Sequence, residues 1–227
     1  MKYVYYASSF CYLGLLAATF IIGCLFLRKT YPLEYKLLVF LSGLTFLVET
    51  VMAAWVITYT PRPWLYSYFD PVESSFIVYI FFRAAMVPLI KRMNTILLII
   101  LPIGIGISFY LTPDSVRLMQ AIILFCLFIN LIAACLFLAD VLLHKADIPL
   151  GGHPFFWMAS GILIFCCIYG VLTPLLSHFT KFRSVYFLLD MIVANLFMYS
   201  GFIACFICFR QTNSASSTAK MSGPAIR

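Results

Sequence analysis

Two charged side chains stand deep inside apolar runs of this sequence. Glu49 is the midpoint of the interval from Lys36 to Arg62, and Arg83 lies within one residue of the midpoint between Glu73 and Lys91. A charge at the centre of a bilayer costs about 2.5 to 3.5 kcal/mol, so exposure to lipid is disfavoured and the two are expected to pair. Such an intramembrane ion pair of Glu49 and Arg83 either fixes helix register or forms the titrating, bistable element of a switch or carrier. Ser42, Thr45 and Glu49 recur at spacings of three and four, and Ser75, Tyr79 and Arg83 at four, so each set shares one helix face pointing into a bundle.

A second group sits nearer the ends of the apolar runs. Trp64, Glu73, Tyr79, Arg117 and Asp190, with Gln120 and Tyr186 beside them and Tyr66 and Tyr68 at the rim, would line a ligand pocket. The alternative is that these aromatics and charges serve as interfacial anchors reaching lipid headgroups. Asn130, Asn195 and Tyr199 are further interior polar groups, suited to interhelical hydrogen bonds.

Catalytic and metal chemistry find little support. His144, His153 and His178 lie at or near the ends of apolar runs, and Asp140 with His144 supplies two ligands where zinc needs three or four. Cys205 and Cys208 form a CxxC, but inside an apolar run and without a second pair, which reads as structural thiols. The sequence has no nucleophile elbow and no phosphate-cradling glycine loop. The seventh apolar run contains no lysine for a retinal Schiff base. No cofactor is expected, and the chain is read as non-enzymatic.

The elements that must carry these residues are set by composition. Of 227 residues 64% are hydrophobic and 10% charged, whereas a soluble domain carries roughly 25% charged residues. Seven apolar runs follow one another: Tyr3 to Leu27, Leu37 to Thr60, Ser74 to Ile90, Thr95 to Leu111, Leu118 to Leu143, Phe155 to Leu176 and Val185 to Phe209. They are continuous and about twice the ten residues of a barrel strand. The expected fold is therefore all-α: a polytopic membrane helical bundle with seven transmembrane helices over residues 1–210, then a disordered cytoplasmic tail over 211–227, which is polar and low in complexity. The first run is read as a retained helix rather than a signal segment, because Leu25-Phe26-Leu27 carry it past Cys24.

The net charge of +7 reflects topology more than nucleic-acid binding, because the basic residues fall between apolar runs. With seven crossings, one face holds Arg28, Lys29, Lys36, Lys91, Arg92, Lys145, Arg210, Lys220 and Arg227, and the other Lys2, Arg62, Arg117, Lys181 and Arg183. Nine against five places the amino terminus outside and the carboxyl terminus in the cytoplasm. The eight cysteines all lie within apolar runs, consistent with buried free thiols.

Several short segments give the chain a family likeness. They are Leu47-Val48-Glu49, Trp64-Leu65-Tyr66, Pro71-Val72-Glu73, Pro149-Leu150, Pro154-Phe155-Phe156-Trp157 and Ser160-Gly161-Ile162-Leu163-Ile164. Across nearly all of residues 1 to 210 the sequence resembles small, uncharacterised seven-helix bacterial integral membrane proteins, possessing relatives among membrane modules associated with sensor histidine kinases. Arg83 departs from the mostly apolar third helix of that group. The resemblance implies a multi-pass protein of the bacterial inner membrane that acts in signal transduction. The leading expectation is a sensor for a small or lipid-like ligand, or for membrane state, that passes a conformational change to a cytoplasmic signalling protein on a separate chain. The alternative is a small-molecule or proton-coupled transporter built on the Glu49 and Arg83 pair.

Overall fold

Hydrocarbon offers no hydrogen bonds, so apolar runs of this length must satisfy their backbone internally, and helices do so within one segment. The computed structural model describes the chain except for residues 1, 29–30, 59–63, 112–114, 145–149, 179–182 and 222–227; inside the helices, the side chains of 2–9, 55–58, 64–67, 111, 115–116, 144, 171–178, 183–191 and 213–221 also lie outside the description. Among the described residues every regular element is helical: α1 (Lys2–Phe26), α2 (Leu33–Thr58), α3 (Trp64–Ala84), α4 (Pro88–Leu111), α5 (Ser115–His144), a 3-10 turn (Leu150–Gly152), α6 (Pro154–His178) and α7 (Arg183–Met221). Four stretches are long and apolar enough to cross a membrane, namely Leu33–Ala54, Pro88–Tyr110, Arg117–Leu143 and Ile192–Thr212. Phe10–Phe26 and Pro154–Gly170 are shorter apolar stretches.

Two boundaries differ from the sequence expectation in ways that move functional residues. The third helix begins at Trp64, ten residues before Ser74, and ends at Ala84 instead of Ile90. It takes in Pro71, and the Ser75 hydroxyl donates to the Pro71 carbonyl at 2.7 Å. Its end is set by Pro88, which suits the first turn of α4, where no N–H is needed, and biases Val87 away from helical backbone. The second difference is α7, which stays helical to Met221, through most of the segment expected to be a disordered tail. Extending an existing helix adds one bond per residue without a new nucleus. The first helix breakers beyond it are Gly223 and Pro224.

The helices close into a ring. α1 packs on α2, α2 on α3, α3 on α5, α5 on α6, α6 on α7 and α7 back on α1, while α4 lies outside, against α3 and α5. Facing outward from α4, Leu89, Met93, Ile96, Ile100, Ile103, Ile107 and Tyr110 recur at three and four residues, a stripe fitted to lipid. The α6–α7 contact runs through glycine. A methyl group on Gly201 would stand 2.5 Å from the Trp157 carbonyl oxygen, and one on Gly161 would stand 2.9 Å from that of Phe197. Small residues allow backbones to approach this closely in membrane bundles. The interior is filled by Phe81, Phe137, Tyr199 and Phe202, all at most 1% exposed, and Phe81 stacks on Phe137 with centroids 5.0 Å apart.

The break between α3 and α4 is held from another helix. Asp140, near the end of α5 and almost wholly buried, accepts from the Met86 amide at 2.9 and 3.1 Å and from the Val87 amide at 2.7 Å. It acts as an N-cap supplied in trans, which accounts for an acid that the sequence suggested only as half of an incomplete metal set. Asp140→Ala is expected to lower stability by about 2 to 4 kcal/mol, because two amides lose a charged acceptor, with Asp140→Asn losing less. Unfolding in bicelles or thermal inactivation in detergent checks this; equal stability of wild type and alanine variant would refute the capping role.

Candidate functional site

Arg83 does not meet Glu49. Its Nε donates to Glu34 Oε1 at 3.2 Å, with the arginine side chain 44% exposed. The correction follows from the boundaries. α3 ends at Ala84, so Arg83 sits in its last turn, and α2 begins at Leu33, which puts Glu34 in its first turn. Glu49 is 15 residues beyond Glu34, about 22 Å along the helix at 1.5 Å per residue. The observed pair joins two antiparallel helix ends at the face that also carries Arg28, Lys36, Lys91, Arg92 and Arg210.

Glu49 instead belongs to a cluster in the interior of the ring. Thr45 on α2 is buried and its hydroxyl bonds Glu73 Oε1 on α3 at 3.4 Å. Glu73 has Asp70, one turn earlier, and Glu49 as electrostatic neighbours. The rings of Tyr12 on α1 and Tyr199 on α7 pack 6.2 Å apart, and both tyrosines feel Glu49 and Glu73. Tyr169 on α6 is within electrostatic reach of Asp70 and Glu49. Cys126 on α5 is hydrogen-bonded to Ser74 and lies near Asp70 and Glu73. Each of the six ring helices thus contributes at least one polar group to a single neighbourhood.

Its depth can be counted from the basic ends of the helices. Glu73 and Tyr199 lie about 16 Å in from Ala84 and Arg210, and Tyr12 and Asp70 about 21 Å in, at 1.5 Å per residue. Below the cluster the ring is closed by aromatic rings. Tyr35 stacks on Phe209 at 3.5 Å and packs on Phe155 at 4.7 Å, and Tyr31 meets Phe209 edge-on at 4.6 Å.

Tyr79 is half-buried and stacks on Phe82 at 6.0 Å. Arg117 opens α5 with an exposed side chain, while the side chains of Trp64 and Asp190 lie outside the described residues, as does the rest of the aromatic rim except exposed Tyr68. Among the expected pocket residues whose side chains are described, Glu73 enters the cluster. Asn130 is buried and its Nδ2 donates to Ser74 Oγ at 3.1 Å, tying α5 to α3; Asn195 is buried on α7. Among the described residues no group of His, Cys, Asp and Glu is arranged to hold a metal.

Asp70, Tyr12 and Tyr169 were not singled out by spacing or type. Asp70 precedes Pro71 and reads as loop until α3 is extended to Trp64; the two tyrosines look like two among many aromatics. No family model, no curated protein and no solved structure matches this chain.

A site of three carboxylic acids, three phenols and a threonine offers acceptor oxygens at low dielectric. Ionised acids so close repel one another, and a proton or small cation among them removes that repulsion. The Glu34–Arg83 pair, by contrast, is an exposed contact. Arg83→Ala is expected to change stability by less than about 1 kcal/mol, measured as in the capping variants; a loss comparable to that of Asp140→Ala would contradict this ranking.

Proposed function

We propose that this chain is a sensory membrane module that binds a proton or small cation at Glu49, Asp70 and Glu73 and passes the state of that cluster along α7 to a separate cytoplasmic protein. The observation carrying this reading is that α7 supplies Tyr199 to the cluster and continues unbroken to Met221. At 39 residues α7 is about 58 Å long, roughly twice the hydrocarbon thickness. A change in how Tyr12 and Tyr199 meet the acids would therefore be felt on the same rigid element that leaves the bundle. The ligand must bind two arrangements of the helices with different affinity for any signal to pass.

The membrane reading is a seven-crossing bundle in the bacterial inner membrane, amino terminus outside. Its support is the four long apolar stretches, the two shorter ones, and the place of α3 in completing the ring. Moving Arg83 to the basic face makes the count ten against five, because Arg83 joins Arg28, Lys29, Lys36, Lys91, Arg92, Lys145, Arg210, Lys220 and Arg227. That excess favours a cytoplasmic carboxyl terminus. A proton- or cation-coupled carrier is the second reading, favoured by the placement of the acids of α2 and α3 within electrostatic reach of Tyr199 on α7.

The test is amide hydrogen exchange over Gln211–Met221 in nanodiscs at mildly acidic and mildly alkaline pH, corrected for intrinsic exchange. Protection is expected to change by about fivefold or more, the lower end of ordinary allosteric coupling, and to become pH-independent in Glu73→Gln with Glu49→Gln. Equal protection at both pH values in the wild type would sink the sensory reading. Flux of protons or alkali cations through proteoliposomes, lost in Glu73→Gln, would then establish the carrier.

A further inference from the structure

Because α4 stands outside the ring, against α3 and α5, the outer face of α3 lies between α2 and α4. One stripe of α3 is partly or fully exposed, with Val72, Phe76, Tyr79 and Arg83 recurring at three and four residues, while Ser74, Ile77, Val78 and Phe81 are buried. The face carrying Tyr79 and Arg83, expected to point into the bundle, therefore points out of it. The helices on either side make this stripe the floor of a groove. Phe76 meets Phe40 of α2 with ring centroids 5.6 Å apart, and Tyr79, although central in the stripe, is half-buried and stacked on Phe82.

The groove is basic at one end and apolar along its length. Arg83 gives its Nε to Glu34, and the rest of its guanidinium, on a side chain 44% exposed, has no protein acceptor among the described residues. Lys91 comes from the other wall. It stands about 140° round α4 from Gly104, which faces Phe125 of α5, so Lys91 and Leu98 two turns on lie on the flank turned toward α3. Arg83 and Lys91 are both within about 5 Å, along their helices, of the α3–α4 break. The acids near this mouth are Glu34 and Asp140; Asp140 is buried and taken up by the Met86 and Val87 amides. With exposed Arg92 beside Lys91, positive charge is in excess there. Tyr79 lies one turn deeper than Arg83, about 6 Å, and the rings of Phe76 and Phe40 lie beyond it.

We propose that one anionic glycerophospholipid docks in this groove, its phosphate on Arg83 and Lys91, an ester carbonyl on the Tyr79 hydroxyl, and an acyl chain along Phe76 and Phe40. Charge complementarity selects the headgroup. An arginine fork matches phosphate oxygens, a lysine adds a point charge, and basic pockets between membrane helices recognise such headgroups. A headgroup ending in an ammonium would set a third cation against Arg83 and Lys91, so a net negative lipid is favoured over a zwitterionic one. The step of one helical turn from Arg83 to Tyr79 is about the span of the glycerol unit between a phosphate and its esters. The phosphate would bridge α3 and α4 across their break, on the lipid side of the contact that Asp140 makes from within. The site lies outside the ring and does not depend on the acidic cluster binding a proton or cation.

The test is native mass spectrometry of the full chain in mild detergent, delipidated and then titrated with phosphatidylglycerol or with phosphatidylethanolamine of the same acyl chains. One phosphatidylglycerol is expected to bind about tenfold or more tighter, in line with two basic side chains at a membrane surface. Arg83→Gln with Lys91→Gln is expected to abolish the preference, whereas Arg28→Gln with Lys36→Gln, which removes the same charge elsewhere on the basic face, is expected to preserve it. Equal affinity for the two lipids in the wild type, or equal loss in both double variants, would overturn the site. Glycerol phosphate in excess is expected to leave the lipid bound; its displacement of the lipid would reduce the groove to an anion site and overturn the lipid. Position is read by photo-crosslinking the single bound phosphatidylglycerol through a diazirine in its acyl chain. Adducts on Phe40, Phe76 and Leu98 are expected, and adducts confined to α1, α6 or α7 would overturn the groove whatever the headgroup preference.

Discussion

The bond between Asp140 and the amides of Met86 and Val87 decides how this bundle is put together. In a chain so apolar, a helix break is affordable only where something pairs the backbone groups it exposes. Pro88 forces the break, and the carboxylate of a helix more than fifty residues on pairs the amides. That contact pins the start of α4 to the end of α5. With the break fixed there, α3 must end at Ala84, which in turn places Arg83 at the basic face beside Glu34 and lifts Asp70 and Glu73 into the interior. The acidic cluster is thus a consequence of where one proline stops a helix and which acid caps the next.

The same geometry explains which features were legible in the sequence. The helical class follows from continuous apolar runs, because period and length together exclude strands. Glu49 stood out as a charge at the midpoint of its run, and it does lie deep along α2. Arg83 misled because its run was measured from Glu73 to Lys91, across a break that the apolar count does not register. Pro88 was the available signal, since a proline sits readily in a first helical turn and poorly in an interior. Lys91 and Arg92 drew attention away from it; they fall inside the first turns of α4 instead of ending α3.

Other parts were out of reach of a single chain read on its own. Which tyrosines of fourteen face the acids depends on how each helix rotates about its axis. These helices are apolar almost all round, so the hydrophobic pattern specifies that rotation weakly. The packing that settles it is local and steric: Gly161 against Gly201 lets α6 and α7 approach within backbone contact and turns Tyr199 toward α1. A glycine in a membrane helix is too common to announce such a contact in advance.

Stability and function pull the polar groups of this bundle to different places. Isolated hydroxyls are quietly satisfied by their own helix: Thr19, Ser42 and Thr50 each donate to the carbonyl four residues back. Asp140 is satisfied by amides and Arg83 by Glu34. The acids around Glu73 are different, because bringing carboxylates together across helices adds repulsion where apolar packing would add none. A fold that only had to be stable would be better served by leucine at such positions. The orphaned amides of Asn94 and Asn130 carry the same cost on the adjoining seam. The two costs lie on helices joined by the Asn130–Ser74 bond, and apolar packing alone accounts for neither.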